Sequence, residues 1–317
     1  MQQHTLGRVC RSAMGCAMTR PRATAIGFSA VLLWALLALF TVGSAPVPPL
    51  QLNAICFAIG GAIGLAWVLV SGEGRLLRAV PFRVYAFGTA SLFGYHLLYF
   101  SALRLAPAAE AGLIAYLWPL LIVIFSGLLP GERLRAGHVL GAGLGFAGAA
   151  MIVARGGSGF DGEALPGYGL ALLCALTWSS YSVISRRLGS TPTASVAIFC
   201  LATALLSLPL HLTFEETSWP DDLPGWLSVL GLGLGPVGLA FYVWDIGVKR
   251  GDIQLLGTAS YAAPLLSTLI LVGAGIAAPT PMLFSAAILI TGGAALAARA
   301  SARTRTIRPE TGVRSAP

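Results

Sequence analysis

The sequence predicts an all-α integral membrane protein of ten transmembrane helices, arranged as two five-helix repeats of inverted topology. Three observations predict it. Hydrophobic residues make up 56% of the chain and charged residues 10%, with a mean hydropathy of +0.80, whereas soluble domains carry roughly a quarter charged residues. Ten stretches come close to the ~20 apolar residues that cross ~30 Å of hydrocarbon. The block Tyr116-Leu117-Trp118-Pro119-Leu120-Leu121 also returns 145 residues later as Tyr261-Ala262-Ala263-Pro264-Leu265-Leu266, with Gly88 falling on Gly233, Gly112 on Gly257, Gly148 on Gly293 and Arg104 on Lys249. A half-length repeat in lipid-compatible sequence is how many secondary transporters are built.

The spans run 24–43, 51–71, 83–104, 109–130, 137–154, 167–186, 193–213, 225–247, 253–275 and 280–299. The first starts near Ala25 and passes Phe40 with no cleavage site behind it, so it reads as a retained helix and not a signal peptide. The fourth and ninth carry Pro119 and Pro264, which free a backbone carbonyl one turn earlier and kink each span at matched positions. The glycine pairs Gly60/Gly64, Gly141/Gly145 and Gly231/Gly235 have the small-xxx-small spacing of close helix crossings or of dimerisation. These limits divide the chain into a tail 1–22, a first repeat 23–154, an outer linker 155–166, a second repeat 167–299 and a tail 300–317.

Basic residues test the span count. With the N-terminus inside, every Lys and Arg except Arg104 and Arg155 falls in an inner segment, as the positive-inside rule requires. Both termini are then cytoplasmic. Five spans per half is an odd number, so the second copy enters from the opposite side. Such an inverted repeat offers two packings of similar energy, one open to each face, which is the physical basis of alternating access. The outer segments hold Glu110, Asp161, Glu163, Glu215, Glu216, Asp221 and Asp222, which read as solvated loops.

Several classes of chemistry are missing. Lys249 is the only lysine and follows Val248, so a Gly-Lys-Ser/Thr phosphate loop is excluded. Neither a His-Glu-x-x-His nor a Gly-x-Ser-x-Gly motif occurs, His4, His96, His138 and His211 are scattered, and Cys10, Cys16, Cys56, Cys174 and Cys200 have no metal-like or paired spacing. The expectation is a non-enzyme with no cofactor and no metal, driven by a gradient. The net charge of +8 lies at the inner ends of the spans, where it anchors topology and meets lipid headgroups, so nucleic acid is not an expected partner.

Polar-tipped residues inside spans are costly against lipid tails and should face the bundle or a wet cavity. Tyr95 and Tyr99 share one face of the third span, with His96 beside them. Positions that break the repeat are free to serve an asymmetric ligand: Tyr95 opposes Ala240, His96 opposes Phe241, Trp118 opposes Ala263 and Phe100 opposes Asp245. Tyr116 and Trp118 reach one cavity only if the helix unwinds between them. Trp178 and Tyr181 lie in the sixth span, with an interfacial aromatic belt as the alternative. The candidate binding residues are Tyr95, His96, Tyr99, Trp118, Trp178 and Tyr242, with Pro119 and Pro264 as gate or kink. Asp245 is a candidate for ion coupling, against the plainer reading of an i,i+4 pair with Lys249 at the membrane surface.

Ten helices as inverted fives, the Tyr-x-x-Pro-Leu-Leu repeat, Pro130-Gly131-Glu132-Arg133-Leu134 after the fourth span and a Gly-rich fifth span together resemble the drug/metabolite transporter superfamily, EamA type. Met18 to Ile26-Gly27, Tyr116 to Pro119 and Tyr242-Val243-Trp244-Asp245-Ile246-Gly247 are most similar to its bacterial aromatic amino-acid exporters, and suggest Met18 as a natural start. The resemblance implies an inner-membrane exporter of aromatic and other neutral amino acids, with Tyr95, His96, Tyr99, Trp118 and Trp178 around a central cavity. Small-molecule amino acids and the lipid bilayer are the implied partners, and the oligomeric state is a monomer or weak homodimer. The alternatives are an exporter of drugs or other metabolites and a non-transporting membrane sensor or scaffold.

Overall fold

A computed structural model describes residues 18–72, 74–153, 162–275 and 278–306, and among these all regular structure is helical. In chain order the helices are α1 (Arg20–Ala35), α2 (Leu37–Gly43), α3 (Pro49–Ser71), the short α4 (Gly74–Arg78), α5 (Phe82–Leu105), α6 (Ala108–Ala115), α7 (Trp118–Ser126) and α8 (Ala136–Val153). A 3-10 turn at Gly162–Ala164 leads into α9 (Leu165–Arg187), followed by α10 (Ser195–Phe214) and α11 (Leu223–Leu234). A π-helical turn, Gly235–Leu239, joins α11 to α12 (Ala240–Arg250), and α13 (Ile253–Ala259), α14 (Ala262–Gly273) and α15 (Pro281–Thr306) complete the chain. Eight stretches among the described residues are long and apolar enough to cross a membrane. The 24-residue α5 is as long but interrupts its apolar run with Tyr85, Tyr95, His96 and Tyr99, and the apolar stretch Glu110–Ser126 is shorter.

Local chemistry sets the helix limits. Proline sits in the first turn of α1, α3, α7, α9 and α11, where its missing N–H costs nothing. The Asp222 carboxylate accepts from Gly225 N–H at 2.8 Å and Asp252 from Leu255 N–H at 3.0 Å, capping α11 and α13. Gly72 ends α3 at φ +70°, a left-handed cap that glycine adopts without strain.

Three expectations are corrected. The fourth span is not one kinked helix. It breaks at Tyr116-Leu117, and Pro119 lies in the first turn of the new helix; the ninth breaks likewise at Ser260-Tyr261 before Pro264. The eighth span runs past 247 to Arg250, so Lys249 belongs to its last turn. The last helix extends to Thr306, well into the expected tail 300–317, since nothing in Ala300-Ser301-Ala302-Arg303 breaks a helix.

The strongest packing joins the halves. α1 lies on α12, α3 on α10, α5 on α9 and α8 on α15. Small residues allow the close approach. A Cβ on Gly27 would come within 2.7 Å of Gly247 Cα, one on Gly60 within 2.8 Å of Gly238 Cα, and one on Gly141 within 2.5 Å of the Gly293 carbonyl oxygen. The glycine pairs singled out in the sequence thus serve crossings inside the molecule.

Candidate functional site

Four tryptophans from four different spans meet in the middle of the bundle. Trp34 of α1, Trp118 of α7, Trp178 of α9 and Trp244 of α12 are all mutual neighbours, with ring centroids from 5.1 to 6.4 Å apart. Edge-to-face and offset aromatic pairs contribute about 0.5–1.5 kcal/mol each beyond burial. Two indoles are also tethered: Trp34 Nε1–H donates to the Pro236 carbonyl and Trp244 Nε1–H to Ser182 Oγ, each at 3.1 Å.

Against Trp178 lies the aromatic face of α5. The Tyr95 ring is 5.5 Å from Trp178 and 6.3 Å from a nearly parallel Tyr99 ring. His96 packs edge-on against Phe57 at 4.9 Å, and its Nδ1 donates to the Leu92 carbonyl at 2.8 Å, because a carbonyl can only accept. Nε2 is thereby left for another partner. Tyr95, His96, Tyr99 and Phe100 are all partly buried. Two recesses lie away from this group. One is a crevice of about 10 Å³ beside Tyr181, Asp245 and Lys249, and the other is an open groove of about 370 Å³ between α5 and α9 at Phe87, Ser91, Leu176 and Thr177.

The two ends of the bundle differ. At the arginine-rich end, the Glu132 carboxylate accepts from Arg20 Nη2 at 3.0 Å and also from Arg186 Nη2. Arg186 Nη1 donates to the Val248 and Gly251 carbonyls at 2.8 and 2.9 Å, closing the C-terminus of α12. Asp245 is paired with Lys249 at 2.8 Å and accepts from Thr193 Oγ1 at 2.7 Å. Here α7 packs against α13, and the Tyr261 hydroxyl accepts the Leu120 N–H at 3.1 Å. At the opposite end α6 packs on α9 while α14 packs on α1. The ties there centre on Glu215, which accepts the Leu50 and Gln51 N–H groups at 3.0–3.1 Å, meets His211 at 3.1 Å and reaches Arg104 at 3.5 Å.

The structure brings Tyr95, His96, Tyr99, Trp118 and Trp178 into one group. It does not bring Tyr242 there: its hydroxyl donates to the Gly60 carbonyl at 2.8 Å and its ring faces Trp67, bolting α12 to α3. Asp245 and Lys249 do form the i,i+4 pair, but not at a surface: Asp245 is 1% exposed and the Lys249 side chain 6%. Glu215 is likewise no solvated loop acid but a buried helix cap. The break at Tyr116-Leu117 lets Trp118 join the tryptophans while Tyr116 turns toward Tyr99. Sequence reasoning missed Trp34, Phe57, Phe241 and Trp244. One signal was within reach, since Trp244 is the repeat mate of Tyr99, an aromatic in both copies.

This is the architecture of a multi-pass membrane transporter with an aromatic centre, built twice from one unit. The chain belongs to the EamA-like transporter family, which matches it at residues 22–154 and again at 165–299. It is 57% identical over 282 residues to the aromatic amino acid exporter YddG of Ancylobacter novellus, covering 88% of this chain and 98% of that protein. It is 24% identical over 295 residues to YddG of Escherichia coli K12, covering 88% and 97%. A solved crystal structure at 56% identity superposes with a TM-score of 0.85 over 90% of this chain and 100% of the other.

Proposed function

We propose that this protein is a secondary transporter that exports aromatic and other neutral amino acids from the bacterial cytoplasm across the inner membrane by alternating access. Its ten spans, counting α1–α2, α6–α7, α11–α12 and α13–α14 as one each, form two inverted fives in residues 23–154 and 167–299 with both termini cytoplasmic. The observation that carries the reading is the aromatic centre: four tryptophans contributed by both halves, next to Tyr95, His96 and Tyr99. The 57% identity to an aromatic amino acid exporter supports the substrate class. Aromatic walls bury an apolar side chain, Tyr hydroxyls and His96 Nε2 bond the carboxylate and ammonium, and an ammonium over a ring adds about 0.5–2 kcal/mol.

With the arginine-rich end inside, the packed α7–α13 contact shuts the cytoplasmic side and the parted α6 and α14 leave the other side open. A zwitterionic substrate carries no net charge, so the membrane potential does no work on it. A coupled proton would add about 2.3 kcal/mol per 100 mV. Buried and doubly bonded, Asp245 serves first to hold α12 to the segment before α10. The glycine faces of α8 and α15 are consumed inside the molecule, which favours a monomer.

Purified protein in liposomes preloaded with phenylalanine, tyrosine or tryptophan should show counterflow of the labelled amino acid. Trp118→Ala and Tyr99→Ala should lower that rate at least about tenfold, the equivalent of ~1.4 kcal/mol of transition-state stabilisation, without altering insertion. Absence of counterflow for every amino acid from folded protein rejects the reading.

A further inference from the structure

Two of the spans around the aromatic centre are interrupted at the same level. The first loosens at Leu36, between α1 and α2, where the N–H bonds to the Leu33 carbonyl, and the eighth widens into the π turn Gly235–Leu239 between α11 and α12. π turns inside membrane helices mark places where the backbone ladder is locally loosened, frequently at functional sites. The repeat mate of the eighth span is α5, and it runs unbroken from Phe82 to Leu105, so the π turn is not inherited from the repeat. It is set by local sequence: Pro236 donates no N–H, and at Gly238 a Cβ would strike the Gly233 carbonyl oxygen.

One hydrogen bond joins the two breaks. Trp34, two residues before Leu36, donates its indole N–H to the carbonyl of Pro236 within the π turn at 3.1 Å. The segments beyond these points, α2 and α11, pack on each other and α11 also lies along α3, while the segments before them, α1 and α12, form one of the tightest pairs in the molecule. α12 is further pinned by Tyr242 to Gly60, by Trp244 to Ser182 and by Asp245 to Thr193. A rigid pair thus meets a second pair across two backbone breaks, and Trp34 stands at the junction with its ring in the aromatic centre.

We propose that α2 and α11 move together as an outer flap about Leu36 and Gly235–Leu239, and that Trp34 is the positioning residue through which the occupant of the aromatic centre sets the flap. A substrate ring packed on Trp34 holds the indole in the orientation that bonds Pro236. With the centre empty the indole makes this bond only part of the time, and the turn is held more loosely. This rests on the transport reading for its trigger, but the hinge itself is a property of the chain alone.

The test is Trp34→Phe in the full chain, which keeps an aromatic ring in the centre while removing the N–H donor, with spin labels at Leu172→Cys on α9 and Leu227→Cys on α11. Both positions are exposed. Without any substrate, the inter-label distance distribution of Trp34→Phe should broaden relative to the labelled parent; an unchanged distribution overturns the hinge whatever the protein transports. With phenylalanine in proteoliposomes, the distance distribution of the labelled parent should narrow while that of Trp34→Phe should not, and the maximal exchange rate of Trp34→Phe should fall about tenfold, as expected when one hydrogen bond is removed. Equal narrowing in the parent and in Trp34→Phe on adding phenylalanine would make Trp34 an ordinary binding residue and overturn the coupling. Parent protein that binds no aromatic amino acid, yet shows the distance change, sinks the transport reading and leaves the hinge standing.

Discussion

Gly112 and Gly257 are repeat mates, yet they live in different surroundings. A Cβ on Gly257 would lie 2.9 Å from Val123 Cγ2 and 3.1 Å from the Pro119 carbonyl oxygen, while one on Gly112 would meet nothing nearer than Val153 at 3.4 Å. The same holds for Tyr116 and Tyr261: the second is fully buried and hydrogen-bonded to Leu120, the first keeps accessible surface beside Tyr99. Matched sequence with unmatched surroundings means that the two copies pack differently in this structure. Under the alternating access proposed above, a second packing would exchange the roles of the mates. At the arginine-rich end ion pairs bind the halves together: Arg20 and Glu132 come from the first, Arg186 and Asp252 from the second.

Five substitutions would break or sharpen that contrast. Asp245→Asn should have the largest effect, because it leaves Lys249 as an uncompensated buried charge; a loss of about 3–5 kcal/mol is expected, read as a lowered unfolding midpoint in detergent. Gly257→Ala comes next, at about 1–3 kcal/mol of overpacking, and should raise thiol-reagent access from the arginine-rich side, whereas Gly112→Ala should leave this state unmoved. Tyr261→Phe orphans the Leu120 N–H and should cost about 1 kcal/mol, visible as faster hydrogen exchange at the start of α7. Arg104→Ala should be smallest. Its ion pair with Glu215 is 3.5 Å long and the side chain is 56% exposed, so a change under about 0.5 kcal/mol in thermal unfolding is expected. Equal responses of Gly112→Ala and Gly257→Ala would mean that the two ends are not alternatives of one another.

Eight of the spans were legible as long apolar helices because lipid imposes a hydropathy requirement on every crossing segment, and the repeat was legible because it is written in glycines, prolines and a tyrosine at a fixed offset. The residues of α5 and Trp118 were legible as polar-tipped side chains too costly to face lipid. What stayed hidden depends on which spans touch. Trp34 has no local mark that separates it from any interfacial tryptophan, and Glu132 looked like part of a loop motif until Arg20 and Arg186 were seen to converge on it. Tyr242 misled for the same reason: its helix was read rightly, but the face it presents leads to Gly60 and away from the tryptophans. The π turn was hidden because Pro236 and its flanking glycines read equally well as an ordinary kink.

The close apposition of Gly141 and Gly293 has a consequence for how the molecule is made. α8 enters the bilayer early in synthesis, with a bare glycine face that ordinary lipid cannot fill well, and its partner α15 is the last of the described helices to emerge. The first half therefore waits in the membrane with a seam undone, and assembly is sealed only when the final segment slides into place.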